Sequence, residues 1–196
     1  MELIVINTYK HLGAYEKEWS AISAENQNTN PSLEYDFVYN WWRFVGENEK
    51  VEIYAVREHK RIIAFFPIQL KKTWFGYIGK FIALDNAHYM DIIARKRDLD
   101  RVIMFIFDAI IKQKKSAVFY LHGLVESGGT PVKLSNYLQA RNLKEQSIRI
   151  VTSYDDSYSY TRNTIFSTNT VRAKTYRNFL WAKEKVSMKG IGRGRK

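Results

Sequence analysis

The segment Asp85-Asn86-Ala87-His88-Tyr89-Met90-Asp91 places two carboxylates, an imidazole and a phenol within seven residues. Histidine and aspartate are the side chains most often used to move protons, so His88 and Asp91 are the candidate catalytic residues, either one able to act as a general base. The same residue types are also ordinary turn formers, and Asp91 could equally satisfy a backbone amide. Trp41, Trp42 and Tyr89 are the candidate walls of a substrate groove, although a Trp-Trp pair is just as much at home in a core. Metal chemistry lacks the donors. There is no cysteine, and none of His11, His59, His88 and His122 is spaced from another by three or four residues as a helical zinc site needs. No nucleophile elbow, phosphate-binding P-loop or dinucleotide glycine fingerprint occurs.

The elements that must hold these residues follow from the hydrophobic period. Residues 2–6 read as a strand and 12–24 as a helix with Leu12, Tyr15, Trp19 and Ile22 on one face. After the polar turn 26–31, Ser32 or Glu34 can cap a helix carrying Phe37, Trp41, Phe44 and Val45 and ending at Gly46. The period then changes to two. Residues 51–71 read as a hairpin turning at 57–60, with Pro67 marking a bulge or an edge. Two strands, 77–84 and 89–94, flank the turn Asp85-Asn86-Ala87-His88. Residues 99–111 form a strongly apolar helix, 117–121 a buried strand, 132–141 a short helix and 145–151 a last strand. This order predicts an α/β fold with a mixed, mostly antiparallel sheet flanked by helices.

Charge divides the chain. The net charge is +11 over 196 residues, yet residues 158–196 hold 10 basic residues and a single acid, Glu184. The expected division is therefore a nearly neutral domain over 1–156 and a basic segment over 157–196 containing a helix. Lys174, Arg177, Trp181, Lys185 and Lys189 share one face of that helix and Tyr176, Phe179, Leu180 the other. Such a segment suits a polyanion, either nucleic acid or an anionic membrane, or it docks on protein. Without a recognised nucleic-acid module the protein partner is favoured, through self-association or a second domain packed on 170–189. No apolar run approaches the roughly 20 residues of a membrane span. The opening Met1-Glu2-Leu3-Ile4-Val5 has no basic region of a signal peptide, and a cytoplasmic setting is expected.

The ordered set Glu16-Lys-Glu-Trp19-Ser20, Phe37-Val-Tyr-Asn-Trp41-Trp42, Val51 to Val56, Arg61 to Leu70 and Asp85 to Asp91 resembles the N-terminal half of the cellulose-biosynthesis (CelD/BcsL-type) acetyltransferases of the GNAT superfamily. The resemblance covers residues 16 to about 185. It implies two tandem GNAT-like domains, with 157–196 resembling the opening helix of a truncated second one. It also implies transfer of an acetyl or other acyl group from acyl-CoA to an amine or hydroxyl of a small molecule or glycan, in polysaccharide biosynthesis. Acetyl-CoA is the implied cofactor, with no metal. The alternative readings are a non-catalytic half-protein needing a missing domain or partner chain, and a basic-tail binding module. The family's CoA turn, Arg/Gln-x-x-Gly-x-Gly/Ala ahead of a helix, has its glycine spacing at Gly190 and Gly192 but Ser187 in place of Arg or Gln.

Overall fold

Alternating strand segments and amphipathic helices assemble into one mixed sheet covered on both faces. In the computed structural model the described residues are 1–26, 30–74, 76–83, 86–87, 89–114, 116–143, 145–154 and 157–167, with backbone alone for 145–163 and 167. The chain runs β1 (Glu2–Ile6), α1 (Tyr9–Leu12), α2 (Glu16–Glu25), α3 (Tyr35–Phe44), β2 (Val51–Glu58), β3 (Arg61–Thr73), β4 (Gly76–Phe81), β5 (Ile93–Ala94), α4 (Leu99–Lys114), β6 (Ala117–Val125), α5 (Thr130–Ala140), β7 (Glu145–Tyr154) and β8 (Ser157–Ser167). The strand order is β1-β2-β3-β4-β6-β8-β7, with β5 beside β3. Within it β4 and β6 are parallel and the other pairs antiparallel. This is the mixed, mostly antiparallel α/β fold that the period changes predict.

Each face of the sheet has its own aromatic core. On one face Trp19 of α2 stacks on Phe65 of β3, ring centroids 4.6 Å apart. The Trp19 indole N–H donates to the Leu33 carbonyl at 2.8 Å, which fixes the turn leading into α3. On the other face Phe107 of α4 touches Phe66, Phe119, Phe166 and Tyr137 at 5.3 to 5.8 Å. Phe119 in turn stacks on Phe166 at 5.0 Å. Such ring pairs add stability beyond the area they bury. Gly79 makes room for them: a Cβ there would lie 2.5 Å from the Phe119 ring.

The structure revises several expected boundaries. The single helix over 12–24 is two, α1 and α2, joined by a 3-10 turn at Gly13–Tyr15. In α3 the buried face is Tyr35, Val38, Trp41 and Trp42, while Phe44 and Val45 stand out in solvent. Pro67 lies neither on an edge nor at a bulge. It sits in a central strand, at the place where the neighbour of β3 changes: Ile68 pairs with Phe81 of β4, whereas Phe65 pairs with Ile93 of β5. The Pro67 carbonyl accepts from Ile82 N on that side at 3.3 Å, so its missing N–H faces the same break in the ladder.

An uninterrupted β4 would bring residue 84, not 93, opposite Phe65. Strands β4 and β5 are therefore one strand interrupted by a nine-residue excursion. The expected second strand over 89–94 is reduced to Ile93–Ala94 by it, and the rest of that segment leaves the sheet.

The strand at 145–151 is not the last. Strand β8 lies between β6 and β7, and Ile165 and Phe166 are fully buried. Strands β7 and β8 pair with each other from either side of the expected boundary at 156, and the sheet continues past it to Ser167. The polar run Ser-Tyr-Ser-Tyr-Thr-Arg-Asn ahead of Ile165 hid a strand whose apolar contribution comes at its end. The expected basic helix over 170–189 lies outside the described residues. A chain ending at residue 156 should lose its cooperative thermal transition, followed by near-ultraviolet circular dichroism. A sharp transition in that chain would mean that β8 is dispensable to the core.

Candidate functional site

The excursion between β4 and β5 leaves the sheet where β4 and β6, the parallel pair, part company. Their pairing ends at Lys80 and Tyr120, β4 stops at Phe81 and β6 runs on to Val125. In open sheets, ligands lie beyond the carboxyl ends of parallel strands, where the following connections diverge. A cavity of about 430 Å³ occupies that position. It is bounded by the end of α2 (Ser23, Asn26), by the excursion (Tyr89, Asp91) and by the turn entering α5 (Ser127, Thr130).

The excursion is tied down along its length. Its entry uses a left-handed turn at Ala83, φ +56°, whose carbonyl accepts from Asn86 N and Ala87 N. The Asn86 side chain accepts from the Trp41 indole at 3.1 Å. Asn30 Nδ2 donates to the Tyr89 carbonyl at 3.3 Å, and its Oδ1 accepts from Ser32 N. At the exit, Asn26 Nδ2 donates to the Ala94 carbonyl at 2.6 Å. There Arg95 also pairs with Glu25, holding that carboxyl below its ordinary value.

Asp91 is the buried charge of this site, 8% exposed. Its Oδ1 accepts from Ile92 N at 2.7 Å, and the Thr130 hydroxyl hydrogen-bonds to it. Burial pushes its pKa up to about 7, against the opposing pull of those two hydrogen bonds. The carboxylate lies close to the first turn of α5, since a Cβ on Gly128 would be 3.2 Å from Asp91 Oδ2. Across the cavity Ser23 is 5% exposed, and its Oγ has no hydrogen-bond partner among the described residues. A buried hydroxyl left unpaired costs stability, and a group that fills the cavity can recover it.

The sequence candidates divide accordingly. Tyr89 and Asp91 meet at the cavity. Trp41 and Trp42 do not line it; both belong to the core, and the Trp41 ring packs where a Cβ on Gly46 would come within 2.6 Å. Trp41 acts on the site at one remove, through Asn86. His88 lies outside the described residues. Ser23 was not among the candidates, because one serine on an amphipathic helix carries no signal until the opposite wall is known. Among the described residues no group of three or more His, Asp or Glu could hold a metal, and no helix is long and apolar enough to cross a membrane.

A CoA pyrophosphate needs converging backbone amides at a glycine-rich helix N-terminus. Helix α4 is preceded by Ala94-Arg-Lys-Arg-Asp98, without glycine. Asp98 is buried there at 5% exposure, held by Arg101, and Asp100 adds a second negative charge to the first turn. Helix α5 has Gly128 and Gly129, but Pro131 removes an amide and Asp91 already places its carboxylate beside the turn. Neither helix N-terminus fits the pyrophosphate.

No protein-family model and no curated protein matches the chain. Among solved structures it is similar to a GNAT-family acetyltransferase from Streptococcus pneumoniae, at 9% identity and a TM-score of 0.48, over 85% of this chain and 98% of that one. It is also similar to a probable acetyltransferase from Staphylococcus epidermidis (10%, 0.47, covering 86% and 100%). A third is spermidine N-acetyltransferase from Vibrio cholerae, solved with CoA and spermine (11%, 0.46, covering 84% and 95%). At these identities function has to be argued from this chain's own residues.

Two measurements test the site. Between about pH 4 and 7 the folded chain keeps a proton on Asp91 that the unfolded chain has released, so this group's contribution to stability falls as pH rises. Asp91→Asn should therefore gain on the parent as pH rises from about 4.5 to 7.5 in urea unfolding; a pH-independent difference would place the Asp91 titration elsewhere. Ser23→Ala should raise the unfolding free energy by about 1 kcal/mol, because it removes an unpartnered buried hydroxyl. A loss of stability in that variant would show that Ser23 Oγ is hydrogen-bonded.

Proposed function

We propose that this chain serves acyl transfer as a GNAT-like domain that holds the acceptor, an amine or hydroxyl of a small molecule or glycan unit, while acyl-CoA is bound by another domain or chain. The observation that carries this reading is the cavity beyond β4 and β6 with Asp91 in its wall. An acceptor amine or hydroxyl has to give up a proton to accept an acyl group. A carboxyl titrating near 7 is both substantially ionised at neutral pH and basic enough to take that proton. Asp91 is the base in this reading, and His88, three residues earlier, is the second candidate.

The resemblance to the CelD/BcsL-type acetyltransferases supports the reaction class, and the mixed, mostly antiparallel sheet flanked by helices is the architecture that resemblance implies. Polysaccharide biosynthesis would be the corresponding setting. The acyl donor is assigned elsewhere because the two helix N-termini beside the cavity carry acids, a proline or no glycine, as described above. Tyr89 then offers the acceptor a ring surface and Ser23 a hydrogen bond.

Titration of the chain with acetyl-CoA by calorimetry should give no saturable heat tighter than a dissociation constant of about 1 mM, roughly −4 kcal/mol. Saturable micromolar binding would put the acyl donor on this domain and overturn the division of labour proposed here.

A further inference from the structure

Among the described residues the most exposed large apolar side chain, Trp74, lies at the end of the sheet away from the cavity. Trp74, 89% exposed, is at the tip of the β3–β4 hairpin; Phe44 and Val45, 70% and 62% exposed, close α3 just ahead of β2. The start of β2 lies back from the hairpin tip along β3. Val51 at the start of β2 pairs with Gln69 near the end of β3, and Leu70 N donates to the Lys50 carbonyl. The start of β6 closes the same end, where Tyr77 N donates to the Ser116 carbonyl.

Cations accompany Trp74 at this end of the sheet. Lys71 and Lys72 are exposed on the hairpin arm beneath Trp74, Lys50 is exposed at the start of β2, and Lys112 is exposed on the last turn of α4. Lys114 is engaged by Glu52 and by the Tyr77 ring. The acids of the neighbouring turn are Glu47 and Glu49. Strand β8 ends here too, since Ser167 pairs with Val118. The chain from 168 to 196, with nine basic residues and one acid, therefore continues from this end.

We propose that this end of the molecule docks on an anionic membrane surface, with Trp74 entering the interface and the lysines meeting lipid phosphates. Tryptophan has an apolar body and a polar N–H and prefers the headgroup level of a bilayer. Lysines next to it gain from the negative surface potential, which decays within a Debye length and so demands close approach. A polyphosphate strand would use the lysines, but it offers no apolar layer to the Trp74 ring. Docked this way, the molecule would turn the opposite end, with the cavity, toward the aqueous side.

The test is co-sedimentation of the full chain with vesicles of phosphatidylcholine alone and of phosphatidylcholine with phosphatidylserine. The chain should pellet with the anionic vesicles alone and be released by salt. Trp74→Ala, and separately Lys71→Glu with Lys72→Glu, should each weaken binding about tenfold, while Trp74→Phe keeps most of it. Each variant should keep a cooperative melting transition, which separates loss of docking from loss of fold.

Failure to pellet with anionic vesicles at low salt would overturn the proposal. So would a Trp74→Ala variant that binds as well as the parent, which would leave a purely electrostatic attraction. Equal affinity for single-stranded DNA with the same dependence on Trp74 would assign the surface to nucleic acid. Self-association abolished by Trp74→Ala, without vesicle binding, would assign it to a second copy.

Discussion

A proline in the middle of a central strand is the constraint from which the site develops. Pro67 has no N–H to contribute on the side where β3 meets its next neighbour, so a continuous ladder there would lose a bond. The sheet avoids that loss by having no continuous neighbour at this point. Strand β4 leaves at Phe81, and the chain rejoins as β5 after the excursion. The nine inserted residues carry Tyr89 and Asp91 away from the sheet to the cavity, with Asp91 up against the turn entering α5. One missing donor in β3 is thus matched by a break in the adjoining strand, and the break supplies the wall of the cavity.

The α5 side of the cavity is positioned by packing on the other face of the sheet. Phe107 is the hub, in contact with rings from β3, β6, β8 and α5. Tyr137 of α5 donates its hydroxyl to Asp108 of α4 at 2.9 Å, and Arg141 pairs with the same carboxylate, which holds the Asp108 carboxyl below its ordinary range. These contacts fix α5 against α4, and with it the turn that Thr130 and Gly128 present to Asp91. The ion pair is half exposed and contributes modestly to stability; its value is in orientation.

Much of this was readable from the residues, and the misses have physical causes. Alternation over 51–71 and the apolar period of 99–111 revealed their elements because each has one clear buried side. Asp91 and Tyr89 stood out because polar residues between two apolar runs are rare without a reason. Trp41 and Trp42 were ambiguous, since a large aromatic serves a core and a groove equally well, and their depth depends on which face of α3 turns inward. The choice of Phe44 and Val45 for that face followed from spacing alone, whereas α3 turns Tyr35, Val38, Trp41 and Trp42 inward. Strand β8 was missed because its N-terminal two thirds are polar and tyrosine-rich. Ser23 could be found only from the fold, because its significance is a hydroxyl, unpaired among the described residues, facing a cavity whose other walls include Asp91 and Thr130, far away in the sequence.

An interrupted strand with both of its stumps paired to the same neighbour behaves like a socket. Residues 68–73 of β3 hold one foot of the excursion and residues 64–65 hold the other, so the hydrogen-bonded register on either side is set without reference to what lies between. Insertions, deletions or wholesale replacement within 83–91 would alter the lining of the cavity while leaving every other strand in place. Loop length at this spot can therefore change independently of the sheet, which serves as an unchanging frame, with Pro67 as the mark of where the frame is open.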